Sequence, residues 1–373
     1  MDTLLESFRM FQWQYVVMWA IGGLLIYLDI KKDMEPALLL PMGFGAILVN
    51  LPQSGAVTQV IDGMVEEGFL SVLFDAGIAN ELFPLLLFIS IGAMIDFTPL
   101  LSNPKLMIFG AAAQFGIFFT LLMALLFGFD LNDAAAIAVI GAADGPTSIF
   151  VANFLKSNYI GAIVVVAYSY MALVPIVQPP VIRAITTKKE RQIRMEYSAG
   201  EVSKTTKILF PIIITVIVGM VARRSVALIG SLMFGNLIRE CGVLDNLSET
   251  AQKTLANLIT LFLGITVATK MQWEQFLNAS TLIILVLGLV AFVFDTVGGV
   301  MIAKLFNLFL KKKINPMIGA AGISAFPMSA RVVNKMGLQE DKQNFLLMHA
   351  VGVNVSGQIA SVIAGGLILG LFG

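Results

Sequence analysis

Asp144 lies in the middle of a membrane-length apolar segment, directly before Gly145 and Pro146. An ionised carboxylate at the centre of a spanning helix costs about 2.5 to 3.5 kcal/mol, so such acids usually face a cavity, an ion path or a buried partner. Pro146 removes one helical hydrogen bond and leaves a carbonyl that a cation can use. These residues indicate an ion site; the alternative is a kinked helix with a protonated, hydrogen-bonded aspartic acid.

A second polar segment follows the lysine run at 311–313. Its polar or helix-breaking residues include Asn315, Gly319, Gly322, Ser324, Pro327, Ser329 and Arg331. Arg331 requires an anion, either an intramembrane acid or a substrate carboxylate, unless it only extends to the membrane interface. Asp295 is a second intramembrane acid, which the sequence allows equally as an ion ligand or as the ion-pair partner of Arg331 or Lys270.

Two further sets of side chains can contribute to an ion site. Asn354 and Gln358 are four residues apart in the last apolar segment, so they share a helix face. Their neutral oxygen atoms suit a weakly held cation such as Na⁺, although hydrogen bonding between helices is an equally common use. Tyr168 and Tyr170 can supply a phenol to the same cavity or serve as interfacial anchors.

The composition identifies a polytopic membrane protein. Hydrophobic residues make up 58% of the chain and charged residues 13%, with a mean hydropathy of +0.88. The net charge is zero, so nothing predicts nucleic-acid binding. One cysteine and one histidine exclude an internal disulfide and a multi-histidine or thiolate metal site. Residues 1–14 mix acidic and basic side chains and do not resemble a signal peptide.

The apolar segments fall into two sets of six, and their landmarks recur. Phe44-Gly45 returns as Phe234-Gly235, 190 residues later, and the run at 140–144 returns at 318–322, 178 residues later. Because the matching runs occur in the same order in both sets, the sequence predicts an internal duplication, with a first repeat over 1–195 and a second over 196–373.

The distribution of basic residues predicts how the repeats are oriented. Lys31-Lys32, after the first segment, and the basic loop at 183–207 should both be cytoplasmic, which requires an odd number of crossings before the loop. A broken, re-entrant hairpin at 133–155 resolves the count, and 315–334 is its counterpart. The lysine run at 311–313 agrees with this topology, whereas Arg223-Arg224 disagrees. We therefore predict an all-α, multi-pass protein of the cell membrane: two inverted repeats, each with five spanning helices and one broken segment, around a transporter-like midplane site.

Three long motifs resemble the beta subunit of biotin-dependent, sodium-pumping decarboxylases. They are Gly-Ala-Ala-Asp-Gly-Pro-Thr at 141–147, the polar run at 315–331 and His-Ala-Val-Gly-Val-Asn-Val-Ser-Gly at 349–357. The runs at 234–243 and 294–299 fit as well, so the resemblance covers nearly the whole chain. It implies a carboxybiotin decarboxylase that couples release of CO₂ to outward Na⁺ transport and consumes a proton.

The resemblance also implies roles for individual residues. Asp144 would bind Na⁺ and exchange a proton, Tyr170 would belong to the proton path, and Arg331 would handle carboxybiotin. The positions implicated in the ion sites or in cofactor binding are matched by Asn315, Gly319, Ser324 and Asn354. Asp295 joins the metal ligands as an intramembrane acid.

The implied partners are a biotin-carrier subunit, a carboxyltransferase alpha subunit and a small membrane subunit of gamma or delta type, within a complex that contains several copies of this chain. The chain has no Ala-Met-Lys-Met motif, and Ala268-Thr269-Lys270-Met271 departs from it at the second position, so biotin would arrive on the carrier. Members of this family that act on an acyl-CoA such as methylmalonyl-CoA or glutaconyl-CoA tend to be as short as this chain, so the resemblance favours an acyl-CoA over oxaloacetate. A Na⁺/H⁺ antiporter, a Na⁺-coupled carboxylate symporter and a non-transporting membrane anchor are the alternatives.

Overall fold

A computed structural model describes residues 10–32, 36–61, 63–196 and 200–372, which are mostly helical. The described residues form nineteen α-helices, several of them joined by single 3₁₀ or π turns. In chain order they are α1 (Trp13–Lys32), α2 (Pro36–Val49), α3 (Phe69–Phe74), α4 (Leu82–Met94), α5 (Thr98–Ser102), α6 (Met107–Ala113), α7 (Phe115–Leu126), α8 (Leu131–Ala138), α9 (Gly145–Phe154), α10 (Ile160–Ile185), α11 (Lys188–Arg191), α12 (Lys204–Val221), α13 (Val226–Glu240), α14 (Asp245–Thr250), α15 (Ala256–Val267), α16 (Trp273–Phe276), α17 (Ala279–Phe309), α18 (Met328–Glu340) and α19 (Leu347–Phe372).

The described residues are mostly helical, as predicted, and one short hairpin is the exception. An antiparallel hairpin of β1 (Gln59–Ile61) and β2 (Met64–Glu66) lies in the acidic connection between α2 and α3, with Val60 opposite Val65. Gly63 adopts φ 77° beside the turn, a conformation that glycine tolerates because it has no Cβ, and the chain can reverse there. Asp62 and residues 1–9 of the predicted non-signal N-terminus lie outside the described residues.

Eight of the ten predicted crossings satisfy the length and composition of a membrane span, if a bent pair counts as one. Six are unbent: Trp13–Lys31, Pro104–Leu126, Lys204–Val221, Asp245–Lys270, Ala279–Phe309 and Leu347–Phe372. The pairs Phe69–Ala79 with Leu82–Met94 and Ile160–Met171 with Leu173–Ile185 bend by 59° and 68°. The other two predicted crossings are α2 and α13, whose 14 and 15 residues are fewer than the roughly 17 to 25 that a helical crossing needs.

Both segments predicted to be broken are interrupted. The first leaves α8 through a 3₁₀ turn at Val139–Ala142, and Ala143 then adopts φ 51° before α9 begins. That left-handed conformation costs a non-glycine residue about 1–2 kcal/mol, so its surroundings must hold it in place. The second consists of a 3₁₀ segment, Pro316–Gly322, an extended stretch and α18. The two interruptions touch, because the Ser324 amide donates to the Ala142 carbonyl at 3.0 Å.

Elsewhere helices of residues 1–195 pack against helices of residues 196–373. Helix α2 packs on α15, and α13 packs on α4. The approach is close in both pairs: a Cβ added to Gly45 would meet Ala268, and one added to Gly235 would meet the Ile89 carbonyl. The backbones can come this near because the glycines have no side chain.

Polar side chains at the ends of α2 and α13 also contact the other half of the chain. Asn50, after α2, donates to the Met271 carbonyl at 2.8 Å. Arg239, near the end of α13, donates to the Met94 carbonyl at 2.6 Å. In each case a side chain from one half satisfies a carbonyl at the end of a helix in the other half, where helical partners run out.

We expect Gly235→Ala to lower the free energy of unfolding by about 1–3 kcal/mol, because the new methyl group forces apart two tightly packed backbones. Gly230→Ala, on the same helix but with nothing within 4 Å of the added Cβ, is the matched control and should be neutral or stabilising. Thermal unfolding in detergent measures both. Equal midpoints for the two variants would contradict the packing.

Candidate functional site

Asp144 is the N-cap residue of α9 and is 3% exposed. One carboxyl oxygen accepts the Thr147 hydroxyl at 2.8 Å, and the other accepts the Thr147 amide at 3.4 Å. These bonds satisfy one of the amide groups that every helix start leaves without a helical partner. The carboxylate is therefore fixed in position by the helix it begins.

A chain of hydroxyl groups connects Asp144 to the second broken segment. Ser361 of α19 donates to the Asp144 carboxylate at 3.1 Å, and the Ser324 hydroxyl lies 2.5 Å from that of Ser361. All three side chains are at most 3% exposed. The acid, the second interruption and α19 thus form one buried polar cluster.

Amide side chains hold the second segment from two directions, at its extended part and at the 3₁₀ turn before it. Asn354 of α19 donates to the Ile323 carbonyl at 2.7 Å, and Gln358, one turn later, donates to the Ser324 carbonyl. From α10, Gln178 donates to the Ala320 carbonyl at 2.6 Å. The shared helix face predicted for Asn354 and Gln358 is therefore the face that contacts this segment.

Each of these amides leaves its oxygen atom without a hydrogen bond. Asn354 Oδ1, Gln358 Oε1 and Gln178 Oε1 are buried and have no partner among the described residues. A buried acceptor without a partner costs about 1–3 kcal/mol. The described residues contain no group of three His, Cys, Asp or Glu side chains that could bind a transition metal. One carboxylate among hydroxyl and amide oxygens suits a hard monovalent cation instead.

Of the two tyrosines in α10, the structure brings Tyr168 to Asp144. The Tyr168 ring packs against Gly145, its hydroxyl is buried without a hydrogen-bond partner in the described chain, and it lies within electrostatic range of Asp144. Tyr170, the tyrosine predicted for the proton path, donates to the Leu285 carbonyl of α17 instead. No described contact joins Tyr170 to Asp144.

Asp295 occupies a different pocket of the core. Its carboxyl group lies against the first amides of α7, at Gly116 and Ile117, and against Gly141 of the first broken segment. The anticipated ion pairs are not formed within the described residues. Lys270 lies over the Phe74 ring at 4.7 Å, so it is directed elsewhere. Asp295 therefore contacts the start of a helix, and its predicted role as an ion ligand remains a prediction.

Asn315 and Gly319 have contacts that fully account for their burial. The side-chain amide group of Asn315 donates to the Arg191 and Ile193 carbonyls at 2.9 Å each, and the side-chain oxygen accepts the Met317 backbone amide at 3.1 Å. A Cβ on Gly319 would collide with the Gly299 carbonyl of α17. The structure thus shows both residues positioning the second segment, and their predicted roles as ligands remain predictions.

Arg331 is exposed at the start of α18 and forms no ion pair with Asp144 or Asp295. Lys335 is exposed one turn later on the same face. Neither cation has an acidic partner within the described residues, so this face of α18 is available to an anionic ligand.

The far end of α18 is tied to the basic loop. Arg191 pairs with Glu340 at 2.7 Å, and Arg194 pairs with Asp341 at 2.5 Å. The Arg194 hydrogen bond holds the pKa of Asp341 below its usual value. These pairs anchor the end of the second segment at the loop, while its extended middle reaches the buried polar cluster through Ser324.

A family model described as the beta subunit of Na⁺-transporting oxaloacetate decarboxylase matches residues 14–372. The chain belongs to this family. It is 43% identical to the probable oxaloacetate decarboxylase beta chain of Vibrio cholerae, over 98% of both chains. It is also 46% identical to the methylmalonyl-CoA decarboxylase beta subunits of Propionigenium modestum, over 96% of this chain and 95% of the relative, and of Veillonella parvula, over 98% and 95%.

Membership of the beta-subunit family confirms the resemblance seen in the motifs. It identifies a Na⁺-transporting, decarboxylase-associated membrane subunit of a complex with several kinds of subunit. The sequence interpretation missed two members of the polar cluster, Ser361 and Gln178. Ser361 follows Asn354 and Gln358 at spacings of seven and three, the same helix face, so its position could have been recognised.

We expect Ser361→Ala to raise the Na⁺ concentration for half-maximal activity by about tenfold or more, because a hydrogen bond to a charged group contributes about 1.5–3 kcal/mol. Ser90→Ala is the control, since Ser90 is equally buried but bonds only to its own helix. Initial rates over a Na⁺ titration provide the measurement. An unchanged Na⁺ dependence would separate Ser361 from the ion site.

Proposed function

We propose that this chain decarboxylates carboxybiotin on a partner carrier subunit and uses the reaction to move Na⁺ outward across the cell membrane, with uptake of a proton. The observation that supports this most strongly is the cluster of Asp144, Ser361 and Ser324, which joins one acid to both broken segments. Na⁺ is the transported substrate, and Asp144 is its charged ligand. The neutral ligands come from the amide oxygens left without partners, Asn354 and Gln358 among them.

Asp144 can couple the ion to the proton because its buried carboxylate can be neutralised in two ways. A charge in a low-dielectric interior is costly without a counter-charge, so either Na⁺ or a proton must be bound. Decarboxylation of carboxybiotin leaves an anionic ureido nitrogen that needs a proton. Tyr168, beside Asp144, is better placed than Tyr170 to pass it on. Binding of Na⁺ to Asp144 would thus release the proton that the reaction consumes.

Arg331 and Lys335 receive the carboxylate of carboxybiotin in this proposal. Both are exposed and unpaired within the described chain, and they lie on the helix that continues from the ion site. An arginine can bind a carboxylate with two parallel hydrogen bonds. Transfer of the bound carboxylate away from water toward the buried cluster would favour loss of CO₂.

We also propose that residues 1–195 and 196–373 are repeats of inverted orientation, with the basic loop at 183–207 in the cytoplasm. Helix α2 of the first repeat packs on α15 of the second, and α13 of the second packs on α4 of the first, which supports the duplication. The matching contacts made by Asn50 and Arg239 between the two repeats support it as well. In this arrangement the broken segments enter from opposite faces and meet at Ala142 and Ser324, close to the membrane midplane.

The partners in the proposal are the biotin carrier, a carboxyltransferase alpha subunit, a small gamma or delta membrane subunit and further copies of this chain. The carboxyl donor is an acyl-CoA. The alignments with the two methylmalonyl-CoA decarboxylase subunits extend over 376 and 366 residues, close to the 373 residues of this chain. The alignment with the Vibrio cholerae oxaloacetate decarboxylase beta chain extends over 424 residues. The length difference thus supports the acyl-CoA class.

Reconstitution in liposomes tests the function. Supplied with carboxybiotin, the chain should release CO₂ only when Na⁺ is present, and Asp144→Asn should abolish this Na⁺-dependent release. Asparagine is as good an N-cap as aspartate, so the variant should retain its fold while losing the charge. Asp130→Asn, the same change at the N-cap of α8, is the control and should retain activity. Exchange of Na⁺ for H⁺ without any biotin compound would identify an antiporter instead.

We expect Arg331→Lys to lower the rate of decarboxylation by at least tenfold, because lysine cannot form the two parallel hydrogen bonds of a guanidinium. The Na⁺ concentration for half-maximal rate should change by less than about threefold, well under 1 kcal/mol. Arg183→Lys, at an exposed arginine that bonds to Gln339, controls for loss of an arginine in general. A variant that lost only Na⁺ affinity would move Arg331 from the carboxybiotin site to the ion site.

A further inference from the structure

A cavity of about 540 Å³ lies beside the last turns of α17, apart from the buried polar cluster. Lysines from three parts of the chain line it: Lys189 of α11, Lys304 of α17 and Lys313 of the following loop. We call it the lysine cavity. None of its lining residues belongs to the proposed ion or carboxybiotin site.

The charges of the lysine cavity do not cancel. Glu190 also lines it, but this acid pairs with Lys304 at 3.2 Å and accepts from the Thr187 amide at 2.7 Å. Lys189 and Lys313 are exposed and have no ion pair or hydrogen bond from their side chains within the described residues. The cavity therefore has two positive charges in excess, which is a binding feature for an anion.

Apolar side chains form the rest of the cavity lining. Met301, Leu305 and Leu308 follow one another at spacings of four and three along α17, so they share a face of that helix. They are 50%, 49% and 77% exposed. A water-soluble anion would leave this apolar surface uncovered, whereas a hydrocarbon chain would cover it.

The length of α17 places the lysine cavity at the level of lipid headgroups. The helix has 31 residues, which at 1.5 Å per residue is about 46 Å, against about 30 Å of hydrocarbon. At least one end must extend into the interfacial region, and the end with Lys304 and the lysine run at 311–313 is the polar one. Basic pockets of this kind bind the headgroups of anionic lipids.

We propose that the lysine cavity binds one anionic phospholipid, with its phosphate between Lys189 and Lys313 and an acyl chain along Met301, Leu305 and Leu308. The ligand class is a phosphodiester lipid with net negative charge, such as phosphatidylglycerol. Lys304 is held by Glu190 and the Ile185 carbonyl, so it positions the cavity wall and does not need the lipid as its counter-charge. This inference does not depend on the proposed function.

Native mass spectrometry of the full-length chain in detergent tests the site. With equal concentrations of dioleoyl phosphatidylglycerol and dioleoyl phosphatidylcholine, the wild-type chain should retain the anionic lipid preferentially. The double variant Lys189→Gln/Lys313→Gln should bind phosphatidylglycerol about 30-fold more weakly, or about 2 kcal/mol for two lysines near a membrane surface. The control is Lys105→Gln/Lys156→Gln, which removes two exposed lysines outside the cavity and should leave lipid binding unchanged.

Two further experiments distinguish an anionic lipid from free phosphate as the ligand. Inorganic phosphate at millimolar concentration should not displace the lipid, because it cannot cover the apolar surface. Leu305→Trp, which fills part of the cavity without changing its charge, should weaken lipid retention by at least fivefold. Complete displacement by phosphate, equal loss in both double variants, or unchanged lipid retention in Lys189→Gln/Lys313→Gln would each overturn the proposal.

Discussion

The structure depends on one constraint, the cost of keeping an ionisable carboxylate and broken backbone inside a protein that is surrounded by lipid. Asp144 meets part of that cost itself, because its side chain caps the helix that the interruption creates. The Ser324 amide satisfies the Ala142 carbonyl on the other side of the interruption. The two breaks therefore satisfy each other's backbone hydrogen-bonding groups at this contact. Irregular backbone within the membrane is tolerated because it is buried in protein.

In the proposed function, the polar cluster around Asp144 binds a transported ion rather than a permanent one. Its hydrogen bonds fix the positions of the side chains, yet several amide oxygens remain without partners among the described residues. A site with one charge and neutral oxygen ligands can bind Na⁺ and still release it. Ser361 has a central position, since it contacts both Asp144 and Ser324 and lies on α19, which packs against both broken segments.

Different parts of the second broken segment contact different parts of the protein. Asn315, at the start of the segment, is tied to carbonyls of the basic loop, and Glu340 and Asp341, at and after the end of α18, are paired with arginines of that loop. Its extended middle reaches the buried cluster through Ser324. Arg331 lies between these anchor points and is exposed, so the segment physically connects the loop, the proposed anion-binding face and the proposed ion site.

The sequence alone determined the membrane class, the family and both broken segments, and it predicted a site at Asp144, because hydropathy, helix breakers and long motifs are local properties. It also predicted that Asn354 and Gln358 share a helix face, since helical spacing is local too. Only the tertiary structure decided that Ser361, Gln178 and Tyr168 join the site, that Asp295 contacts the start of α7, and that Arg331 has no acidic partner in the described chain. These facts depend on which helices pack together, over sequence separations of up to 217 residues, and local patterns carry no information about such contacts.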